Sequence, residues 1–291
     1  MANNKVESLA VFCANLGAAT KSLLKITLGG SSAAASSPIW NSESSTSEPL
    51  YILGNGPSLR QNIDNDLALL TNSRTLAVNF AANSPEFQQL KPNFYVLADP
   101  HFFNRQDDSN VALLLKNLSA VTWEMTLFVP TKSTLPTTLL QHPYITVCHF
   151  NFVAIEGFEW LEHIAFKHRL GMPRPRNVLI PSIMIGIWLG FHNIYLLGAD
   201  HSWLKTLSVD DNNRVVSIQP HFYKEDAKEE QRISATYVNI RLHEVLKSFY
   251  IAFQSYHRLQ RYASTIGVNV FNATPGSMID AFPRRSISNP N

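Results

Sequence analysis

Tyr51-Ile52-Leu53-Gly54-Asn55-Gly56-Pro57-Ser58-Leu59 is an apolar run that ends in a glycine turn followed by residues suited to a helix start. Glycine lets a backbone approach a ligand or another segment closely, and Pro57 fits the first helical turn, so a buried strand turning into a helix is expected. Amides left outward-facing at such a start make a cradle for an anion. The same pattern also fits a plain strand-to-helix turn. It lacks the lysine of a P-loop and the third glycine of a dinucleotide fingerprint, so neither ATP hydrolysis nor nicotinamide chemistry follows from it.

Outward from this turn, short apolar runs alternate with helical patterns. Leu50 to Leu53, Thr75 to Asn79, Phe94 to Ala98, Thr126 to Val129, Ile145 to Phe150, Asn193 to Gly198 and Val268 to Asn272 read as strands. Their apolarity is continuous rather than alternating, which predicts strands buried on both faces. The expected fold is therefore α/β, a mainly parallel Rossmann-like sheet flanked by helices. Helices are expected from about Ile183 to Leu189, stopped by Gly190, and over Glu225 to Ile266, ended by Gly267. Ligands on such a sheet bind beyond the carboxyl ends of the strands.

Three segments organise the chain. Residues 1–28 read as an N-terminal amphipathic helix with Lys21 and Lys25 beside its leucines. It packs on its own domain, or touches lipid or another subunit. Residues 29–49 contain eight serines and read as a linker. Residues 50–285 then read as the catalytic domain, with a lid-like insertion near 201–225. No run reaches about 18 consecutive apolar residues, so an integral membrane protein is not expected. Peripheral contact through residues 6–28 with the inner membrane face, and a homo-oligomer, both stay open.

Composition narrows the function class. The chain has 291 residues, is 45% hydrophobic and 16% charged, and carries a net charge of +2, a balance that gives no field to hold nucleic acid. Cys13 and Cys148 have no zinc-ligand spacing and cannot form a disulfide framework, which fits a reducing, cytoplasmic setting.

Polar residues gather at the expected strand ends. Asn79 and Asn83 flank the second, and an asparagine can donate and accept hydrogen bonds to a base, ribose or phosphate. Asp99-Pro100-His101 ends the third, and Gly198-Ala199-Asp200-His201 repeats the arrangement later. Each aspartate either caps the next helix, binds a ribose hydroxyl or acts as a nucleophile. Asp64-Asn65-Asp66 matches a metal signature only superficially and reads as a solvated helix start; no essential metal and no resident cofactor are expected. His221, in Pro220-His221-Phe222-Tyr223, follows a polar insertion and can take a proton from an acceptor hydroxyl, with Tyr223 donating to a departing phosphate. Asn272-Ala273-Thr274-Pro275-Gly276-Ser277 reads as a second polar loop opening a helix, with amides available to a nucleotide and Arg284 and Arg285 adding charge.

The turn 54–59, Asn79, Asp99-Pro100 followed by Phe102-Phe103, the segment 189–200 and the stretch 272–282 together, in this order, resemble the bacterial CMP-sialic acid sialyltransferases of glycosyltransferase family 42. They are also similar to the wider superfamily with the flagellin-glycosylation proteins, the retaining β-Kdo transferases and a pterin pyrophosphokinase. The resemblance implies a GT-A-like variant that uses a CMP-activated acidic sugar without an obligatory metal. It implies that Asn55 and Asn79 contact phosphate or cytidine, that Ser277 and its loop hold the nucleotide, and that His221 is the general base. The nucleotide-binding serine of that family aligns loosely with Ser182. Where the sialyltransferases have Asn-Pro, this chain has Asp99-Pro100, which favours a retaining, Kdo-transferase-like reading with Asp99, or Asp200, attacking the anomeric carbon.

The expected function is transfer of a 3-deoxy-ulosonic acid, Kdo or a sialic-acid relative, from its CMP donor to a surface glycan in polysaccharide biosynthesis. The expected catalytic residues are Asp99, His221 and Asp200. The expected substrate contacts are Gly54, Asn55, Gly56, Ser58, Asn79, His101, Ser182, Tyr223, Asn272, Thr274, Gly276 and Ser277. The alternatives are a diphosphate-transferring pyrophosphokinase of the same superfamily, or a non-catalytic glycan- or nucleotide-binding protein.

Overall fold

The computed structural model of the chain describes residues 2–216 and 240–287. All seven apolar runs form strands: β1 (Leu50–Leu53), β2 (Arg74–Val78), β3 (Phe94–Val96), β4 (Met125–Pro130), β5 (Ile145–Phe150), β6 (Asn193–Leu197) and, after the short hairpin β7 (Ser208–Val209) and β8 (Val215–Val216), β9 (Asn269–Asn272). They make one sheet in the order β5-β4-β3-β2-β1-β6-β9. Every pairing in it is parallel. The fold is thus α/β and Rossmann-like.

Helices cover the sheet. In chain order they are α1 (Ala2–Gly29), α2 (Ser32–Ala35), α3 (Leu59–Thr71), α4 (Glu86–Leu90), α5 (His101–Asn104), α6 (Ser109–Leu118), α7 (Thr137–Leu140), α8 (Glu159–Lys167), α9 (Leu179–Leu189) and α10 (Leu242–Thr265). The central one is α9, whose 11 residues are all buried. A helix apolar on every side must be covered on every side. One face of α9 meets the sheet so closely that a Cβ on Gly186 would lie 2.8 Å from the Leu50 side chain. The buried core on this face joins α9 and α10 to the strands, while α6 and the turn after β2 close a second cluster around Tyr95, Leu127 and Phe102.

Two expectations change. The serine-rich stretch 29–49 is packed, not a free linker. Trp40 stacks on Phe128 at 5.6 Å and meets Trp188 edge-on at 5.6 Å, and its indole N–H donates to the Ala34 carbonyl at 2.8 Å. One buried indole outweighs eight serines, because it removes far more apolar area from water than exposing their hydroxyls can offset. Secondly, the segment Leu9–Gly29 of α1 is long and apolar enough to cross a membrane by length and composition. A search for uninterrupted apolar runs passes over it because Lys21, Lys25 and small polar residues break the run.

Candidate functional site

The carboxyl ends of β1, β2, β3 and β6 open into a cleft of about 430 Å³. β1 lies where the winding reverses, since β2 to β5 extend from it to one side and β6 and β9 to the other. Connections that leave adjacent strands in opposite directions part there, and this is where such sheets bind ligands. The lining comes from residues 54–57, 78–80, 98–102, Phe152, 175–179, Gly198 and 200–203. Gly54, Asn55, Gly56, Asn79, Asp99, His101 and Asp200, distant in sequence, are brought together as expected from the strand ends.

The glycine turn does a different job from the one expected. Gly54 N–H donates to Leu197 O at 2.8 Å and Gly56 N–H to Gly198 O at 2.8 Å, continuing the β1–β6 pairing past the strand ends. Ser58 N–H donates to Asp200 Oδ1 at 3.3 Å and Ser58 Oγ–H to Asp200 Oδ2 at 2.7 Å. A Cβ on Gly56 would overlap the Asp200 carboxylate and lie 2.6 Å from Gly198 O. The glycines therefore admit a neighbouring loop rather than a phosphate, and the outward anion cradle is corrected: the amides of Gly54, Gly56 and Ser58 are already engaged. Asp200 acts as the cap of α3, and Ser58 is its anchor rather than a cleft residue. Burial raises the Asp200 pKa above the ordinary carboxylate value, opposed by the two Ser58 bonds.

Asn79 adopts a left-handed conformation, with φ 52°. Its carbonyl accepts from the Tyr95 hydroxyl at 2.5 Å, and that hydroxyl accepts from Ala82 N–H at 2.9 Å, which pins the turn after β2. Asn79 lines the cleft, and its amide oxygen is buried with no hydrogen-bond partner among the described residues. Buried acceptors are ordinarily satisfied, so an unsatisfied one in a cleft is a place for a ligand donor. Asn55 Nδ2 donates to Val78 O at 3.2 Å and ties the two turns together.

Asp99 is exposed at the cleft, and its Oδ1 accepts from His101 N–H at 2.8 Å. The capping reading is thus realised in one oxygen, while Oδ2 makes no hydrogen bond among the described residues. His101 Nε2 stands 3.7 Å from Asp108 Oδ2, too far for a hydrogen bond.

From the cleft lining into the core runs a polar chain absent from the sequence expectations. Leu179 N–H donates to Asn177 Oδ1 at 3.0 Å, which fixes that atom as oxygen. The Tyr256 hydroxyl donates to the same oxygen at 2.9 Å, so its own oxygen is left to accept from His201 Nε2–H at 2.9 Å. The order of donors sets the His201 tautomer. Burial lowers the His201 pKa to about 4 and raises that of Tyr256 far above its ordinary value, so both are neutral. Arg176 is exposed at the rim and makes no ion pair or hydrogen bond among the described residues.

Several expected residues stand elsewhere. Ser182 lies wholly buried in α9, donating to Val178 O at 2.8 Å; it packs the helix and does not reach the cleft. Asn272, Thr274, Gly276 and Ser277 border a separate cavity of about 600 Å³ with Gln61, Asn62, Asn65 and Asp66. Their polar atoms hold the fold: Ser277 Oγ–H donates to Ala199 O at 2.6 Å, Thr274 Oγ1–H to Leu196 O at 3.1 Å, and Asn272 Nδ2 to Ser277 Oγ at 3.0 Å. Arg284, expected to add charge, donates to the carbonyls of Thr274, Ser277 and Ile279. The residues after Ser277 form bends, not a helix, because Ile279 and Phe282 turn into the core. Asp64-Asn65-Asp66 lies within α3, away from the main cleft. His221 and Tyr223 lie outside the described residues. Arg176 and Asn177 had a signal, Pro173-Arg174-Pro175-Arg176-Asn177, a stiff basic run directly before an apolar helix. Tyr256 had none, since it is one aromatic among many on α10.

No family model matches the sequence. No match is found among curated proteins. Among solved structures, the chain is similar to the MAf glycosyltransferase from Magnetospirillum magneticum AMB-1, with a TM-score of 0.51 and 15% sequence identity over 86% of this chain and 35% of that one. The chain thus spans well under half the length of that protein, and at this identity the likeness is one of fold.

Proposed function

We propose that the chain is a glycosyltransferase whose cleft takes a CMP-activated acidic sugar, Kdo or a sialic-acid relative, and passes the sugar to a surface glycan. The observation that carries this reading is a switch-point cleft lined by Arg176 and Asn79, the guanidinium of the first and the amide oxygen of the second having no partner among the described residues. An acceptor of this kind suits the amino group of a base or a ribose hydroxyl, and an unpaired guanidinium suits a phosphate or the carboxylate of a ulosonic acid. The fold likeness to a glycosyltransferase supports the same class.

In this reading Arg176 meets the charge of the departing CMP, and no resident metal is assigned. Asp99 is favoured over Asp200 as the nucleophile, because both Asp200 oxygens are held by Ser58 whereas Asp99 holds one backbone amide. Attack on the anomeric carbon would form a bond from Asp99 Oδ2 as the bond to the CMP phosphate breaks, and the acceptor hydroxyl would then displace the carboxylate. His221, outside the described residues, remains the base assigned to the acceptor proton, and Tyr223 the donor assigned to the departing phosphate.

Incubation with CMP-Kdo and with CMP-sialic acid tests the reading: release of CMP from one of them supports it. A thermal shift with ATP and magnesium but none with CMP would turn it toward diphosphate transfer.

A further inference from the structure

The outward face of α1 has no part in the cleft, yet it carries a row of exposed apolar side chains. Leu9, Phe12, Leu16, Leu23, Leu24 and Leu28 are all at least half exposed, Leu28 at 78%. The opposite face is held firmly. Ala19 packs against Gly157, where an added Cβ would lie 2.8 Å from its nitrogen, and Ser22 Oγ accepts from Glu156 N–H at 2.8 Å. Ile26 joins the core. The helix is thus fixed along the domain, and its leucines cannot turn inward.

The patch continues beyond α1. The Phe12 and Phe158 rings are 5.4 Å apart, and Phe158 stacks on Trp160 at 6.4 Å. Trp160 is 63% exposed, with Ile164 one helical turn further along α8. Charge favours one occupant. The segment Leu9–Gly29 contains Lys21 and Lys25 and no acidic residue. Lys25 also feels the nearby Glu156, which Arg174 already holds. On α8 the carboxylates of Glu159 and Glu162 pair with Arg261 at 3.4 Å and Arg258 at 3.2 Å, leaving no unpaired negative charge from them beside the patch.

We infer that this face, α1 with Trp160 and Ile164, lies in the surface of an anionic phospholipid bilayer, leucines among the acyl chains and Lys21 and Lys25 at the headgroups. A stripe of leucines flanked by lysines with an aromatic at its edge is the chemistry of an interfacial helix. A second copy of the chain fits less well, because the segment Leu9–Gly29, whose charges are Lys21 and Lys25 alone, offers the same segment of a twin no ion pairs and sets like charges facing.

Co-sedimentation of the full chain with vesicles of phosphatidylcholine, with and without phosphatidylglycerol, tests this. Binding is expected to be stronger by about tenfold or more with the anionic lipid, each basic residue adding about 1 kcal/mol near such a surface. Lys21→Glu with Lys25→Glu should abolish that preference. Leu16→Glu with Leu24→Glu should lower binding to both vesicles by at least about tenfold while leaving the circular dichroism and melting midpoint unchanged, both sites being exposed. Absence of vesicle binding, or binding untouched by the leucine pair, overturns the inference. So does a dimer in light scattering that the leucine pair dissolves, or attachment that survives alkaline carbonate, which would show a spanning helix.

Discussion

Ser58 and Asp200, 142 residues apart in sequence, are joined by a hydroxyl-to-carboxylate bond of 2.7 Å and an amide-to-carboxylate contact of 3.3 Å. This pair locks the turn after β1 to the turn after β6. Without it, the two loops that define the switch point would be held by the Gly54 and Gly56 amides alone.

Ser58→Ala is therefore expected to lower stability by about 1–2 kcal/mol at neutral pH, the loss of a hydrogen bond to a partly buried carboxylate. The sign with pH follows from Asp200. Its folded pKa is raised, so the native state takes up a proton more readily than the unfolded chain, and its carboxylate stabilises the fold less as pH rises through that pKa. Ser58 offsets this by favouring the ionised form. The penalty of Ser58→Ala should be full above the folded pKa and shrink as Asp200 protonates, read by urea unfolding at neutral and acidic pH.

Gly56 and Gly276 separate the two roles a glycine can have. A Cβ at Gly56 overlaps Asp200, whereas Gly276 has φ 66° and nothing within 4 Å of an added Cβ. Gly56→Ala should cost about 3 kcal/mol or more by overpacking, with the Ser58–Asp200 link broken. Gly276→Ala should cost about 1 kcal/mol, the strain of a left-handed alanine. Equal effects on the unfolding midpoint would show that the loops do not meet as described.

His201 makes stability fall with acid. Its pKa is lowered from 6.5 to about 4, so between those values the unfolded chain binds a proton that the folded chain refuses. Stability then rises with pH across this window and is lost as pH falls, by a total on the order of 3 kcal/mol. His201→Gln can still donate to Tyr256 but does not titrate, so the stability of wild type relative to the variant should be constant above pH 6.5 and fall steadily below it, down to about pH 4. Tyr256→Phe removes the middle of the chain at every pH and should cost about 1–3 kcal/mol.

What the sequence made legible follows the physics of each feature. All seven strands showed as apolar runs because strands buried on both faces leave no polar alternation to confuse the reading. Asn79, Asp99 and Asp200 were visible because a polar residue at a strand end has few other reasons to be there. Ser182 misled because one serine in an apolar helix looks reserved for function, yet its hydroxyl is satisfied four residues back by Val178. Asn272 to Ser277 misled because a polar loop that binds a nucleotide and one that binds its own sheet have the same composition. The Trp40 rings pack on Phe128, 88 residues away, and the Asn177–Tyr256–His201 chain joins residues 79 and 55 apart, which no local pattern reports.

Arg176 tests the donor side of the proposal. It is exposed and has no partner to lose among the described residues, so Arg176→Ala should leave the melting midpoint unchanged. Loss of a charge-assisted bond to phosphate or sugar carboxylate should weaken CMP-sugar binding by about 10- to 100-fold, with Arg176→Lys falling between. Calorimetric titration with CMP and with the intact donor distinguishes the two anions, since only a contact to the sugar carboxylate leaves CMP affinity unchanged.

Asp99→Asn tests the chemistry apart from the fold. Asparagine can still accept from His101 N–H through its side-chain oxygen, so the turn of α5 should persist and the melting midpoint hold. An amide oxygen is a far weaker nucleophile than a carboxylate, so turnover by a double displacement should fall by about 1000-fold or more while donor affinity stays within a few-fold. Mass spectrometry of the wild-type chain after brief exposure to donor without acceptor should then show one added sugar, absent from Asp99→Asn. Near-full turnover in the variant would remove Asp99 from the reaction and leave a single displacement, with His221 taking the acceptor proton, as the route to be tested by His221→Ala.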